Sequence, residues 1–199
     1  GAEAASSGDF TSMTSFSVTA SGDNSNYMNF MFRRYPGVFD EVAYTGTGSA
    51  TTIAHSLGVV PELVIIKSRG QAINWVGGMP QTTTDNLNLN LTNGWQANAF
   101  FPSGTTASVF SLSSGLGVNT NTDTYVAYLF APLAGISKVG SYTGNGTTQT
   151  INAGFSGGAR FVLIKRTDST GDWFVWDSTR GIVAADDPHL SLNTTAAEV

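Results

Sequence analysis

The chain has 199 residues, of which 12% are charged and 11% aromatic, and it carries a net charge of −5. The aromatic content supplies enough apolar surface to offset the entropy of folding, which excludes a disordered chain. Its 9 basic residues are scattered along the sequence, which excludes binding to nucleic acid through phosphate contacts. No apolar run approaches the ~18 residues of a membrane span, so we expect no membrane insertion. The chain has no cysteine, which excludes disulfides and thiolate metal sites.

In chain order, the predicted elements are short strands separated by turns rich in Gly, Asn, Ser and Thr. No segment shows a helical period over ten residues. The strands are predicted over residues 16–19, 27–32, 39–44, 49–54, 62–67, 73–77, 87–91, 109–112 and 125–130. Residues 27–32 are nearly continuous in apolar side chains, as in a strand buried on both faces. We therefore predict an all-β chain of antiparallel, sandwich-like modules.

The sequence repeats itself at a fixed offset. Residues 44–53 return as residues 142–151, an offset of 98 positions (142 − 44), and the match continues without a gap. Asn145-Gly146 in the later copy is a favoured hairpin turn. The repeat predicts three parts: residues 1–36 end a preceding module, residues 37–134 form a complete module, and residues 135–199 start a further, truncated module. Either a longer polypeptide or a neighbouring subunit is expected to complete the last one.

A G-x-S-x-G motif occurs at Gly154-Phe-Ser-Gly-Gly158. A serine nucleophile in this motif needs a strand before it and a helix after it. Here a strand is predicted to follow, and the position equivalent to the serine in the other copy is Gly58. We therefore interpret the motif as a loop.

Few other residues could form a metal site or a catalytic site. Asp168 with Asp172, and the Asn/Asp alternation over residues 119–123, could hold calcium, but both are typical of turns. His55 and His189 fall at non-equivalent positions, and no carboxylate recurs between the copies. We therefore predict no catalytic residue, no cofactor and no metal site, and a protein that is not an enzyme.

Two loops are candidate surfaces for contact with glycans. One carries Asn93 and Trp95, and the other carries Asp186, Asp187 and His189. Exposed aromatic and polar side chains of loops are frequent in binding sites.

Two pairs of residues recur in register between the copies. Trp75 and Trp173 are predicted to pack in the core. Lys67 and Lys165 are the matched charges, and they are predicted to cap strand ends.

Several runs resemble a repeat found in tail and fibre proteins of tailed bacteriophages, especially marine ones, where it often follows a laminin-G-like domain. The runs are Arg33-Arg-Tyr-Pro-Gly-Val-Phe-Asp40, Tyr44-Thr-Gly-Thr-Gly-Ser49, Ala54-His-Ser-Leu-Gly-Val-Val-Pro-Glu-Leu63, Tyr125-Val-Ala-Tyr-Leu-Phe-Ala131 and, in the later copy, residues 140–146 and 161–171. The resemblance implies a virion component on the phage tail or particle surface, with no catalytic motif.

The function expected from this resemblance is that of a structural or host-recognition segment of a tail fibre. Its expected partners are further copies of itself, with a homotrimer favoured from similar fibres, other tail proteins of the virion, and host cell-surface polysaccharide. Two alternatives stay open. One is a capsid or tail decoration protein, and the other is a polysaccharide-degrading fibre enzyme.

Overall fold

The computed structural model describes residues 8–12, 15–18, 31–181 and 187–199. Over these ranges the chain forms four antiparallel sheets, and none of it is a helix long and apolar enough to cross a membrane. The strands are β1 (Gly8–Ser12), β2 (Ser15–Val18), β3 (Phe39–Thr45), β4 (Thr51–Ala54), β5 (Leu63–Ser68), β6 (Val76–Gly78), β7 (Asn86–Asn88), β8 (Val109–Leu112), β9 (Thr124–Phe130), β10 (Phe161–Lys165), β11 (Trp173–Asp177) and β12 (Leu190–Ser191). The all-β prediction is confirmed.

The central sheet has five strands in the order β3-β9-β5-β6-β7. Successive side chains of a strand point to opposite faces, so Tyr125, Ala127 and Leu129 of β9 share the inner face. The pair β4–β8 lies over that face and contributes the fully buried Phe110 and Leu112 to the core. The module is therefore sandwich-like, with its core between the sheet and the β4–β8 pair.

The turn between β3 and β4 is fastened to the loop between β8 and β9. The buried amide of Asn119 accepts a hydrogen bond from the backbone N–H of Thr47 at 2.8 Å and donates to the carbonyl oxygens of Ser49 and Ser113 at 2.7 and 2.9 Å. A Cβ at Gly46 would lie 2.1 Å from the Thr120 carbonyl oxygen, so only glycine fits there. These contacts hold the two loops together at one end of the sandwich.

The predicted strand over residues 87–91 differs from the observed β7. The strand covers Asn86–Asn88, and Leu91 lies outside it, 36% exposed. The asparagines face the core, because Asn88 pairs with the buried Val76 on the same face. Burial of these amides is tolerated because Asn98 donates to Asn86 at 2.9 Å and Asn86 donates to Asn88 at 3.4 Å.

The predicted hairpin around Asn145-Gly146 forms its turn without flanking strands. Gly146 has a positive φ of 77°, and the backbone N–H of Thr147 donates to the Asn145 side chain at 2.9 Å. Residues 138–154 nevertheless include no strand. In the earlier copy the equivalent β3 and β4 pair with β9 and β8. Within the described part of the chain, no strand pairs with residues 138–154 in that way.

The hairpin β10–β11 repeats the pairing of β5–β6 at the same offset. Three cross-strand pairs recur: Val64↔Gly78 with Val162↔Trp176, Ile65↔Gly77 with Leu163↔Val175, and Ile66↔Val76 with Ile164↔Phe174. The bridge Tyr35↔Phe39 likewise recurs as Leu133↔Ser137. Local structure therefore follows the sequence repeat at these two places, while the division into modules at residues 36 and 134 stays a prediction.

Candidate binding surface

The loop with Asn93 and Trp95 lies against the segment between β10 and β11. Trp95 is half-buried, and its backbone N–H donates to the Thr167 carbonyl oxygen at 2.9 Å. A Cβ at Gly94 would lie 2.5 Å from the same oxygen. Asn93 is exposed. This loop thus supports the C-terminal sheet as well as presenting a surface.

The other predicted contact residues lie beside β11. The His189 ring lies 5.2 Å from the Phe174 ring and 5.5 Å from the Trp176 ring, and its backbone pairs with Val199. The Nδ1 atom of His189 lies 3.4 Å from the backbone carbonyl oxygen of Asp187, within hydrogen-bond distance. Asp186 lies outside the described residues. The two predicted loops are therefore held by different elements.

The candidate calcium ligands have protein partners. Asp168 pairs with Arg166 at 2.8 Å, and Asp172 accepts from the Asn193 amide at 2.7 Å. Asp123 accepts from the Ser68 hydroxyl at 2.8 Å. Among the residues with described positions, no three His, Asp or Glu side chains are grouped as metal ligands.

The G-x-S-x-G segment is a loop, as predicted. Ser156 lies in a turn, Gly154 and Gly158 both have positive φ, and β10 follows. The strand-end lysines also take their predicted role. Lys67 Nζ donates to the Ile73 carbonyl oxygen at 2.5 Å, and Lys165 Nζ donates to Gly171, which occupies the equivalent position, at 2.9 Å.

Asp40 is a fully buried carboxylate at the start of β3. Burial alone would raise its pKa, but hydrogen bonds from Arg34 and from the backbone N–H groups of Ser56 and Glu41 outweigh that effect and lower it. The Ser56 contact is 2.7 Å long. Because Arg34 and two backbone donors occupy its oxygens, Asp40 fastens the start of β3 to the segment after β4.

The outer face of the five-stranded sheet carries a row of aromatic rings, here named the aromatic strip: Phe32, Phe39, Phe130, Tyr128 and Trp75. The Tyr128 ring lies 6.2 Å from Trp75 and 6.5 Å from Phe39, with interplanar angles of 17° and 15°. Phe32 is 54% and Trp75 36% exposed. The Tyr128 ring thus lies nearly parallel to Phe39 and Trp75, and the strip is open at Phe32 and Trp75, whereas Phe39 is buried.

The core prediction for the two matched tryptophans is right for one and wrong for the other. Trp173 is buried, and its indole N–H donates to the Asn88 carbonyl oxygen at 3.0 Å. Trp75 instead lies on the outer face and is 36% exposed, and the described residues form no layer over this face like the one that β4–β8 forms over the inner face. Strand alternation between Trp75 and the inward Val76 is the signal that could have identified this position.

The aromatic strip has one polar neighbour, Glu41, that is suited to binding a sugar. Glu41 of β3 is exposed and pairs across the ladder with Tyr128, so its carboxylate stands on the same face. Aromatic faces pack against apolar C–H groups, while a carboxylate accepts hydrogen bonds from hydroxyl groups. The aromatic strip together with Glu41 therefore fits a ligand that has both apolar C–H groups and hydroxyl groups.

Comparison with curated proteins and with solved structures finds no match to this chain. Residues 34–199 match a family described as a domain of unknown function, DUF7483. The matched residues include β3 to β12, and thus the whole sandwich and the C-terminal sheet. The chain therefore belongs to the DUF7483 family.

Proposed function

We propose that the chain is a structural and host-recognition segment of a bacteriophage tail fibre or related virion appendage, and that it catalyses no reaction. In this role it binds cell-surface polysaccharide weakly, and several copies on one particle raise the avidity. The sequence resemblance to phage tail repeats supports the virion location. The aromatic strip is the observation that supports recognition.

The strip suits this role because its rings are rigid and already in place. Tyr128 belongs to a hydrogen-bonded strand, so binding orders little additional chain. An apolar strip beside an exposed carboxylate is a surface that soluble proteins commonly use for binding.

The buried acids are better explained as structural groups than as catalysts. Asp40 is occupied by Arg34 and backbone donors, and Asp177 by Arg180 and the backbone N–H groups of Thr179 and Arg180. Each of these carboxylates holds a turn in place.

The test is binding of bacterial surface polysaccharides, O-antigen and capsule, on a glycan array, followed by calorimetry with the strongest binder. We expect Trp75→Ala to weaken binding by about tenfold, because one aromatic stacking contact contributes about 1.5 kcal/mol. The calorimetry is done at a dilution where the chain is monomeric, so that avidity does not mask the change.

Tyr142→Ala is the matched control, since Tyr142 is also an exposed aromatic residue, 52% accessible, outside the strip. Its affinity should equal that of the wild type. Equal binding by Trp75→Ala, or no binding to any polysaccharide, would contradict recognition by the strip. Release of reducing sugar that one Asp or Glu substitution abolishes would contradict the absence of catalysis.

A further inference from the structure

The chain contains two Asn-Gly pairs, Asn93-Gly94 and Asn145-Gly146. An asparagine followed by glycine can close to a cyclic imide, in which the backbone nitrogen of the glycine bonds to the side-chain carbonyl carbon of the asparagine. Glycine favours this attack because it has no Cβ to hinder it and its backbone turns freely. The attack also needs room for the main chain to rearrange, so the surroundings of each pair decide its reactivity.

The pair Asn145-Gly146 lies in an open part of the structure. Every residue from 140 to 152 is exposed. A Cβ at Gly146 would meet no atom within 4 Å. Within the described part of the chain, the backbone N–H of Gly146 donates no hydrogen bond. The attacking nitrogen is therefore accessible, and no packed neighbour opposes rearrangement of the turn.

The side chain of Asn145 is prepared for the attack by Thr147. The backbone N–H and the hydroxyl group of Thr147 each donate a hydrogen bond to Oδ1 of Asn145 at 2.9 Å. Attack on the side-chain carbonyl carbon moves negative charge onto this oxygen. Hydrogen-bond donors already in place at an oxygen where charge develops lower the barrier. Thr147 supplies two such donors.

The other pair is packed at its glycine. A Cβ at Gly94 would lie 2.5 Å from the carbonyl oxygen of Thr167. The backbone N–H of Trp95 donates to that same oxygen at 2.9 Å, and on the other side of the pair Gly171 donates to Thr92 at 2.9 Å. Imide formation here requires that these contacts open first, and the rate falls with the population of the open state.

We propose that Asn145 is a site of spontaneous deamidation and that Thr147 promotes the reaction. The Gly146 nitrogen gives up its proton to a solvent base and bonds to the side-chain carbonyl carbon of Asn145. The bond from that carbon to the amide nitrogen breaks, and the nitrogen takes up a proton and leaves as ammonia. Water then adds to either carbonyl group of the imide and opens the ring, which gives aspartate or isoaspartate. No oxidant or reductant takes part.

The products change the charge and the length of the turn. Each event adds one negative charge to a chain whose net charge is −5. Isoaspartate also lengthens the main chain of the turn by one methylene group. Residues 138–154 include no strand, so the change breaks no strand pairing. This inference does not depend on the proposed function, because it rests on the turn and not on the aromatic strip.

The test is incubation of the whole chain at mildly alkaline pH, followed by peptide mapping with mass spectrometry at successive times. We expect Asn145 to be converted at least about tenfold faster than Asn93, because opening of a packed loop lowers the reactive population by at least that factor. In concentrated urea, which removes the packing of Gly94, the two rates should become similar. Equal rates in the folded chain, or a difference that persists in urea, would overturn the proposal.

Thr147→Val tests the role assigned to Thr147, since it removes the hydroxyl group and keeps the backbone N–H. Conversion of Asn145 should slow by about fivefold, the effect of one hydrogen bond, while Asn93 is unaffected. Thr147→Ser retains the hydroxyl group and should restore the wild-type rate. Thr148→Val, at the exposed neighbouring threonine, is the matched control and should leave the rate unchanged. A rate for Thr147→Val that equals or exceeds that of the wild type would show that Thr147 does not promote the reaction.

Discussion

Replacing Ile66 with Ala is expected to cost the monomer about 3 kcal/mol of unfolding free energy, whereas Ile164→Ala costs less than about 1.5 kcal/mol. The two residues occupy the same position of their hairpins, opposite Val76 and Phe174. Ile66 is fully buried beneath the β4–β8 layer, while Ile164 is half-buried. A large cavity can form only where a second layer surrounds the deleted atoms.

The measurement is urea denaturation at a dilution where the chain is monomeric, with the unfolding free energy taken from midpoint and slope. Because the two substitutions delete the same atoms at equivalent positions, the chemistry is matched and only the covering differs. Equal losses would mean that the later hairpin is as fully covered as the earlier one.

Replacing Asp40 with Ala is expected to cost about 2 to 3 kcal/mol at neutral pH. The substitution leaves the backbone N–H groups of Ser56 and Glu41 without their acceptor and removes the partner of Arg34. Glu41→Ala, at the exposed neighbouring acid, is the control and should change stability by less than about 0.5 kcal/mol.

The Asp40 contribution also has a defined pH dependence. The folded-state pKa lies below the ordinary value, so the carboxylate stabilises the fold above about pH 4, and that stabilisation is lost as the pH falls through the folded-state pKa. The stability difference between the wild type and Asp40→Asn should therefore shrink between pH 7 and pH 3. If the stability difference stays constant or grows as the pH falls, the folded-state pKa of Asp40 is not lowered and the assignment is wrong.

The strands were predictable where the residue pattern and the pairing partner agree. The β-branched run of β5 and the alternating β9 fall close to their predicted positions, because each lies between two strands of the central sheet. Residues 138–154 carry strand-forming sequence but pair with none of the described strands, and a sequence pattern does not show which segments pair. The inward asparagines of β7 escaped prediction because Asn98, which lies outside the predicted strands, satisfies Asn86.

The candidate surface was predictable only in part. Polar loop composition pointed to Trp95 and His189, yet both contact the C-terminal sheet through neighbours that the sequence alone does not reveal. The aromatic strip joins residues from Phe32 to Tyr128, and it becomes visible only when strand order brings β3, β9 and β6 onto one face. Recurrence between the copies correctly predicted that both lysines cap strand ends, but it also grouped the exposed Trp75 with the buried Trp173.

The central claim is that this chain belongs to the recognition apparatus of a virion. Immunogold electron microscopy tests it directly, with antibodies raised against the chain applied to intact phage particles released by the organism that encodes it. The account predicts gold on the tail or its fibres, at several copies per particle. Unlabelled particles, or label confined to the capsid, would contradict it.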